Sequence, residues 1–235
     1  MKHLLKFSAL RIAMAGASIL LGGAPAWADD VPSNNVRLGS ETVFYHTSAD
    51  DLAGPFVPPG VNFEAQNLET LYMAYVRRLS SRFDVEFALG YPPLVKIKGS
   101  GPQELGSVPY NGQVVATSRW IAPTMFVEYK FMSENSRWRP YIGVGVNYTT
   151  FYDRTSTAQG NAISGGPTKL ETTASLGVAG TGGVSYHVSG HFSVYGSYSA
   201  AQVKTSLTAY TAGEVRTTNV SFGPQVLVIS AGYSF

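Results

Sequence analysis

Cysteine, charge and long apolar runs are all scarce in this sequence, and each absence excludes a class of protein. Without cysteine among its 235 residues, the chain has no disulfide framework, no thiolate nucleophile and no cysteine-based metal site. Charged residues make up 14%, against about 25% in typical soluble domains. Beyond the first 30 residues no apolar run reaches the roughly 18 residues that a membrane-spanning helix needs. A polytopic helical membrane protein is therefore excluded.

The amino-terminal segment has the three parts of a secretory signal peptide. Basic residues precede an apolar core at residues 12–21, which is too short to span a bilayer, and an A-x-A cleavage site follows at residues 26–28. We predict that residues 1–28 are cleaved and that residues 29–235 form the exported domain.

The net charge argues against a nucleic-acid partner. The full chain has 17 basic and 15 acidic residues, but three of the basic residues lie in the predicted signal peptide. The exported domain would therefore carry 14 basic and 15 acidic residues, without the basic surface that nucleic-acid binding requires.

Apolar and polar residues alternate with a period of two from Val36 to the carboxyl terminus, which predicts β-strands. Eight strands are predicted, at residues 36–45, 69–78, 83–91, 119–131, 139–152, 173–187, 192–205 and 218–235. Short turns alternate with long loops, which are predicted at residues 46–68, 92–118, 153–172 and 206–217. This pattern is typical of an all-β fold, an eight-stranded antiparallel transmembrane β-barrel with both mature termini in the periplasm.

The last strand supports the barrel over a soluble β-sandwich, whose strands would also alternate. Its apolar residues include Tyr233 and Phe235, and an alternating strand that ends on phenylalanine resembles the signal by which the barrel assembly machinery recognises outer-membrane barrels. We therefore expect a bacterial outer-membrane protein that contacts membrane lipid and the assembly machinery.

Strand alternation also assigns residues to the barrel interior, which in an eight-stranded barrel holds side chains or one small ligand. Charges of both signs fall inside the periplasmic half, where we expect ion pairs to close the floor rather than to form an ion pathway. The predicted floor residues are Arg37, Glu86, Glu128 and Arg139, with Glu41, Arg78, Asp84 and Lys130 also inward.

The upper half of the interior is predicted to be apolar. The predicted lining residues are Tyr72, Ala88, Trp120, Phe126, Phe151, Tyr198, Val226 and Val228. Strand seven leaves Tyr195 as an alternative to Tyr198. Apolar residues above a charged floor indicate a pocket for an apolar ligand, although the rings could also simply pack on one another.

The strands are longer than the 9–11 or so residues that span a bilayer, so the barrel should project on the loop side. Basic residues on this half would contact the phosphates of surface glycolipid or form a solvated rim. They are Lys96, Lys98, Arg119, Arg154, Lys169, Lys204 and Arg216.

Several segments, in order and spacing, resemble the OmpW family of outer-membrane proteins. They are residues 36–40 (VRLGS), 85–86 followed by 90–93 (GYPP), 120–124 (WIAPT), 139–153 and 230–235 (SAGYSF). The resemblance covers nearly the whole exported chain, and residues 139–153 are its most specific part. It implies a barrel with a hydrophobic lumen that admits small hydrophobic molecules, which leave sideways through the wall. Residues 55–60 and 160–169 match no functional segment of the family.

Two other functions are open to such a barrel. His187 and Ser189 form an H-x-S pair like that of small outer-membrane lipid A deacylases, whose chemistry also needs a carboxylate, and residues 189–204 contain none. We therefore expect no enzyme and no cofactor or metal. The long loops could instead form a receptor or adhesion surface with the barrel as anchor. Our leading hypothesis is a narrow hydrophobic channel for passive uptake of small hydrophobic molecules.

Overall fold

The computed structural model describes residues 33–235, so the predicted signal peptide at residues 1–28 lies outside the described part. Along these residues the elements are β1 (Asn34–Ala49), β2 (Asn62–Ala65), β3 (Leu68–Arg78), β4 (Phe83–Gly90), β5 (Leu94–Ser100), β6 (Glu104–Leu105), β7 (Val108–Pro109), β8 (Val114–Ile121), β9 (Thr124–Lys130), β10 (Trp138–Ser156), α1 (Ala158–Ser164), β11 (Thr168–Thr172), β12 (Ser175–Ser189), β13 (Phe192–Ala201), β14 (Val203–Thr211) and β15 (Glu214–Ser234). In the part of the chain described, no helix is long and apolar enough to cross a membrane.

Eight of these strands close into a barrel. Each is antiparallel to both neighbours in the order β1, β3, β4, β9, β10, β12, β13, β15, and β15 returns to β1. The closing ladder is long, running from Asn35 opposite Ser234 to Ala49 opposite Val220. The predicted eight-stranded antiparallel barrel is confirmed.

The outer surface of this barrel is apolar because strand alternation places aliphatic side chains there. Leu176 is 76% exposed and Val144 is 73% exposed. Further exposed apolar residues of the wall are Leu38, Leu71, Met73, Met125, Val127, Ile142, Val146, Val178, Leu227 and Ile229. A continuous apolar belt of this kind belongs in lipid, and the closed ladder satisfies the backbone hydrogen bonds that lipid cannot.

Aromatic rings mark the end of the barrel where the short turns lie. Tyr129 contacts Phe83 and Phe131 edge to face, with ring centroids 5.4 and 5.1 Å apart. Tyr233 contacts Phe192 and lies beside Phe235. Amphipathic rings in this position form the girdle at a lipid–water interface. The predicted assembly residues Tyr233 and Phe235 are thus part of this girdle.

The opposite end extends well beyond the belt. β10 has 19 residues and β15 has 21. Their far halves pair with β8 and β14, and β5 and β11 extend the sheet from β8 and β14. The prediction of a projecting barrel is therefore correct. The prediction of loops at residues 92–118 and 206–217 is wrong: the first contains β5 to β8, and the second is the β14–β15 hairpin, which turns at Ala212 and Gly213 with positive φ.

Two predicted strands are interrupted. The predicted strand at residues 119–131 divides into β8 and β9 at Ala122 and Pro123, and the predicted strand at residues 192–205 divides into β13 and β14 at Gln202. Proline has no N–H to donate, so a backbone ladder stops there. The first interruption lies in the wall of the cavity described next.

Candidate functional site

The barrel encloses a mostly apolar cavity of about 470 Å³. At one end its wall reaches Phe56 and Pro58, in the segment after β1, and at the other it reaches Glu86 and Val228 deep in the barrel. Tyr72, Ala74, Ala88 and Val228 are all buried and form its lower apolar cluster. The volume lies within the range of small-molecule sites.

Arg37 closes the lumen below this cavity. It is 3% exposed, and its guanidinium forms ion pairs with Glu86 and, at 3.6 Å, with Glu128. It also lies 4.0 Å from the ring centroid of Tyr195. Because these partners come from β4, β9 and β13, the Arg37 side chain bridges strands across the lumen.

Further contacts complete the floor. Lys130 Nζ lies 2.6 Å from Asp84 Oδ2, and both side chains are buried. The Tyr72 hydroxyl donates to Glu86 Oε1 at 2.7 Å and so joins the floor to the apolar cluster above it. At Gly232 a Cβ would lie 2.6 Å from the Tyr195 ring, so glycine is what lets that ring lie so close to the wall.

Among the predicted floor residues, Arg37, Glu86 and Glu128 form ion pairs, but Arg139 does not. The prediction that Arg139 is ion-paired is wrong for the described residues, since its Nη2 donates to the Ser81 carbonyl at 2.7 Å. The reason is local: Arg139 lies at the start of β10, next to the turn that contains Ser81.

The predicted lining residues lie on the cavity wall with one exception. The residues on the wall are Tyr72, Ala88, Trp120, Phe126, Phe151, Val226 and Val228. The inward placement of Tyr198 is wrong: it is 47% exposed on the outer surface, pairs with Leu227 and donates to Gln225 Oε1. Tyr195 is the inward tyrosine of β13, because residues three apart point to opposite faces of a strand.

Four aromatic residues form a collar midway along the cavity: Tyr45, Trp120, Phe151 and Phe222. Phe151 lies opposite Trp120 in the β8–β10 ladder. Phe222 contacts Tyr45 edge to face, with centroids 6.1 Å apart, and Phe151 at 5.9 Å. Strand alternation predicted that Trp120 and Phe151 line the lumen, but it did not identify Tyr45 and Phe222 as lining residues.

A second apolar group, the loop cluster, lines the cavity above the collar. Val61, Tyr110 and Val115 are buried at its centre, and Leu52, Val57, Phe63, Leu105 and Ile163 pack around them. The Tyr110 hydroxyl donates to the Asn62 carbonyl, and burial raises the pKa of Tyr110. Sequence reasoning missed this cluster because it assigned all of these residues to loops.

The barrel wall has a seam, formed by residues 89–93 and 120–123, where the backbone ladder is interrupted. The β4–β9 ladder ends at Ala88 opposite Thr124, and the β5–β8 ladder starts at Leu94 opposite Arg119. Between them Arg119 Nη1 donates to the Pro92 carbonyl at 2.9 Å. Leu89, Gly90, Trp120 and Ala122 of the seam line the cavity.

Comparison with known proteins gives one relative that matches nearly the whole chain and one that matches about half of it. Outer membrane protein W of Vibrio cholerae is 29% identical over 224 residues, covering 94% of this chain and 98% of that protein. Dibenzothiophene metabolism operon protein PahQ of Pseudomonas aeruginosa is 26% identical over 133 residues, covering 55% of this chain and 57% of that protein.

Solved structures and a family model agree with this result. The crystal structure of the outer membrane protein OprG from Pseudomonas aeruginosa has the same fold, with a TM-score of 0.78, 22% identity, and coverage of 87% of this chain and 96% of that one. The OmpW family model matches residues 35–235, which is the whole barrel. This chain therefore belongs to the OmpW family and is an outer-membrane β-barrel.

Proposed function

We propose that this barrel allows small hydrophobic molecules to enter through the outer membrane without chemistry or energy coupling. The observation that carries the proposal is the apolar cavity, which runs from the loop cluster to Tyr72 and Val228 and ends above the charged floor. Apolar walls favour apolar solutes because such solutes leave water at no cost in lost hydrogen bonds.

The long-loop end is the entrance. Val61, Tyr110 and Val115 of the loop cluster face the cavity rather than standing free in solvent. This arrangement supports a channel over the alternative of a barrel anchor whose loops form a receptor surface, because a receptor surface would present its residues outward.

The exit is lateral, through the seam. The floor is closed by Arg37 and its partners, whereas the wall at residues 89–93 and 120–123 lacks a continuous ladder and faces lipid outside. A solute that passes between Gly90 and Ala122 would enter the membrane without crossing the ion pairs of the floor. Those buried ion pairs therefore need not be broken on this route.

The proposed orientation agrees with this route. The short turns, the floor and both ends of the described chain face the periplasm, and the loop cluster faces outward. Tyr233 and Phe235, both exposed in the girdle, would then be accessible to the assembly machinery. Lys96 and Lys204 are exposed on β5 and β14 above the apolar belt, where they would contact the phosphates of surface glycolipid.

One relative supports the chemical class of the solute. The chain resembles a protein of the dibenzothiophene metabolism operon, and dibenzothiophene is a fused aromatic compound without charge. The aromatic collar would stack on such rings.

We also propose that the barrel is not an enzyme. His187 is exposed, and its Nδ1 lies 3.4 Å from Ser193 Oγ, so the H-x-S pair is not arranged as a catalytic dyad. Within residues 33–235 no cluster of His, Cys, Asp or Glu could hold a metal ion.

Uptake of radiolabelled toluene by Gram-negative cells that lack their own OmpW protein tests this proposal, since an intact outer membrane excludes apolar solutes. We expect the wild-type barrel to raise the initial uptake rate and Val228→Asp to lower it about tenfold, because a buried carboxylate makes the wall polar. Val228→Thr, which keeps the shape of valine, should lower the rate less. Heat-modifiable gel mobility verifies folding. Equal rates with and without the wild-type barrel would overturn the proposal.

A further inference from the structure

Glu41 is a carboxylate on the wall of the apolar cavity. It projects inward from β1, opposite Val228 in the β1–β15 ladder, and is only 6% exposed. The sequence predicted that inward charges would pair with one another in the floor. Glu41 does not: among residues 33–235 it makes no hydrogen bond and no ion pair.

The floor cation Arg37 does not pair with Glu41. It is already shared between Glu86 and Glu128. The cationic residues that line the cavity are Arg154 and Arg216, and these are engaged near its outer end with the carbonyls of Thr172 and Pro55. An unpaired buried carboxylate is costly, and a cation placed beside it would recover that cost.

The position of Glu41 depends on a glycine in the seam. Gly90 lies against the carboxylate so closely that a Cβ at this position would overlap Glu41 Oε1. Any other residue at Gly90 would displace the carboxylate. Glu41 therefore lies beside the proposed lateral exit, where each departing solute would pass it.

Two further polar atoms of the cavity lack partners. Tyr45 Oη and Trp120 Nε1 are buried, and neither has a hydrogen-bond partner among the described residues. Tyr45 is four residues from Glu41 on the same face of β1, and Trp120 belongs to the seam and lines the cavity. With Glu41 they provide acceptors and a donor inside an otherwise apolar chamber.

We propose that Glu41 is a specificity-determining residue that binds the ammonium group of small apolar amines, with the apolar part of the solute held against the aromatic collar. The proposal rests on the proposed uptake function and narrows its substrate class. The carboxylate supplies the charge-assisted hydrogen bond, and Tyr45 Oη offers a second acceptor. The same site would reject a carboxylate solute by repulsion.

Uptake selectivity is the first test. Cells producing the barrel are given radiolabelled benzylamine, toluene or benzoate, which share one ring and differ in the head group. Loss of a charge-assisted hydrogen bond lowers affinity by about tenfold or more. Glu41→Gln should therefore lower the ratio of benzylamine uptake to toluene uptake by about that factor. It should also raise benzoate uptake relative to toluene uptake. Glu69→Gln is the matched control, because Glu69 lies next in register on β3 but is exposed on the outer face. An unchanged ratio in Glu41→Gln, or an equal loss in Glu69→Gln, overturns the proposal.

Binding to the purified protein is the second test and does not depend on transport. In a Trp138→Phe background, Trp120 is the one tryptophan of residues 33–235, and it reports on the cavity by fluorescence. Benzylamine should bind at least about tenfold more tightly than benzyl alcohol, and Glu41→Gln should abolish the difference. Gly90→Ala, which displaces the carboxylate but keeps it, should reduce the difference as well. Equal affinities of the wild type for benzylamine and benzyl alcohol would overturn the proposed amine site. Amine binding by the purified protein without toluene uptake in cells would overturn only the proposed uptake function.

Discussion

Phe151 and Phe222 meet in the lumen with ring centroids 5.9 Å apart, although their strands β10 and β15 are not neighbours in the barrel wall. Rings from non-adjacent strands can touch only by reaching across the interior. The contact therefore narrows the path between the loop cluster and the lower cavity. The size of solute that passes should depend on these two side chains.

Replacing Phe222 should widen this passage. In Phe222→Ala cells the uptake of naphthalene relative to toluene should rise several-fold, because the larger solute gains more from the space, while Phe222→Leu should have an intermediate effect. The stability cost should be below the roughly 3–5 kcal/mol of a fully buried Phe→Ala, since Phe222 is only half-buried. Uptake of both labelled solutes by the same cells gives the ratio. A ratio that does not change would show that the collar does not limit passage.

Replacement of Arg37 in the floor should have a large effect on the stability of the barrel. Arg37→Met leaves Glu86 and Glu128 buried without their cation, which should cost about 3–5 kcal/mol. Urea unfolding in lipid vesicles, followed by fluorescence, measures the loss. Arg82→Met is the control, because Arg82 is exposed at a turn and should change stability by about 0.5 kcal/mol or less. Adding Glu86→Gln and Glu128→Gln to Arg37→Met should restore much of the stability. If this triple variant is no more stable than Arg37→Met, the uncompensated charge is not the cause.

Strand alternation was sufficient to predict the barrel and most of its interior. A period of two fixes every face of a strand once one residue is placed, so the inward positions of Arg37, Glu86 and Phe126 followed from the apolar outer residues between them. It failed at Tyr198 because β13 alternates weakly. Small residues such as Gly196, Ser197 and Ser199 lie beside the two tyrosines, and local sequence does not show which tyrosine faces lipid.

The projecting half was harder to predict. Beyond the apolar belt neither face of a strand must be apolar, so residues 94–100 and 203–211 do not show the pattern typical of a membrane strand, although both form strands. The ion-pair partners of individual charged residues could not be predicted from local sequence either. Whether Glu41 pairs with a cation depends on which side chains meet across the barrel, and the register of distant strands decides that.

The seam predicts a site at which uptake can be blocked reversibly. Because the chain has no cysteine, Ala122→Cys gives a single thiol in the seam, and a benzyl thiosulfonate reagent would attach a ring there as a mixed disulfide. Toluene uptake should fall several-fold and recover after reduction. Ser199→Cys, which lines the cavity on β13 away from the seam, is the control and should respond less. An equal response of both variants would indicate narrowing of the cavity rather than a blocked lateral exit.

Packing and hydrogen bonding in the loop cluster should stabilise the outer end of the barrel. Tyr110 is 1% exposed, and its hydroxyl donates to the Asn62 carbonyl, so Tyr110→Phe removes one hydrogen bond from the centre of the loop cluster. This should cost about 0.5–1.5 kcal/mol locally without unfolding the barrel. Local opening then becomes more frequent, and protease added to intact cells should cleave the segment at residues 50–61 faster. Tyr210→Phe is the control, since Tyr210 is exposed and its contact with Glu171 is 3.4 Å long. Cleavage at the wild-type rate in Tyr110→Phe would mean that apolar packing around Val61 and Val115 alone keeps these segments over the entrance.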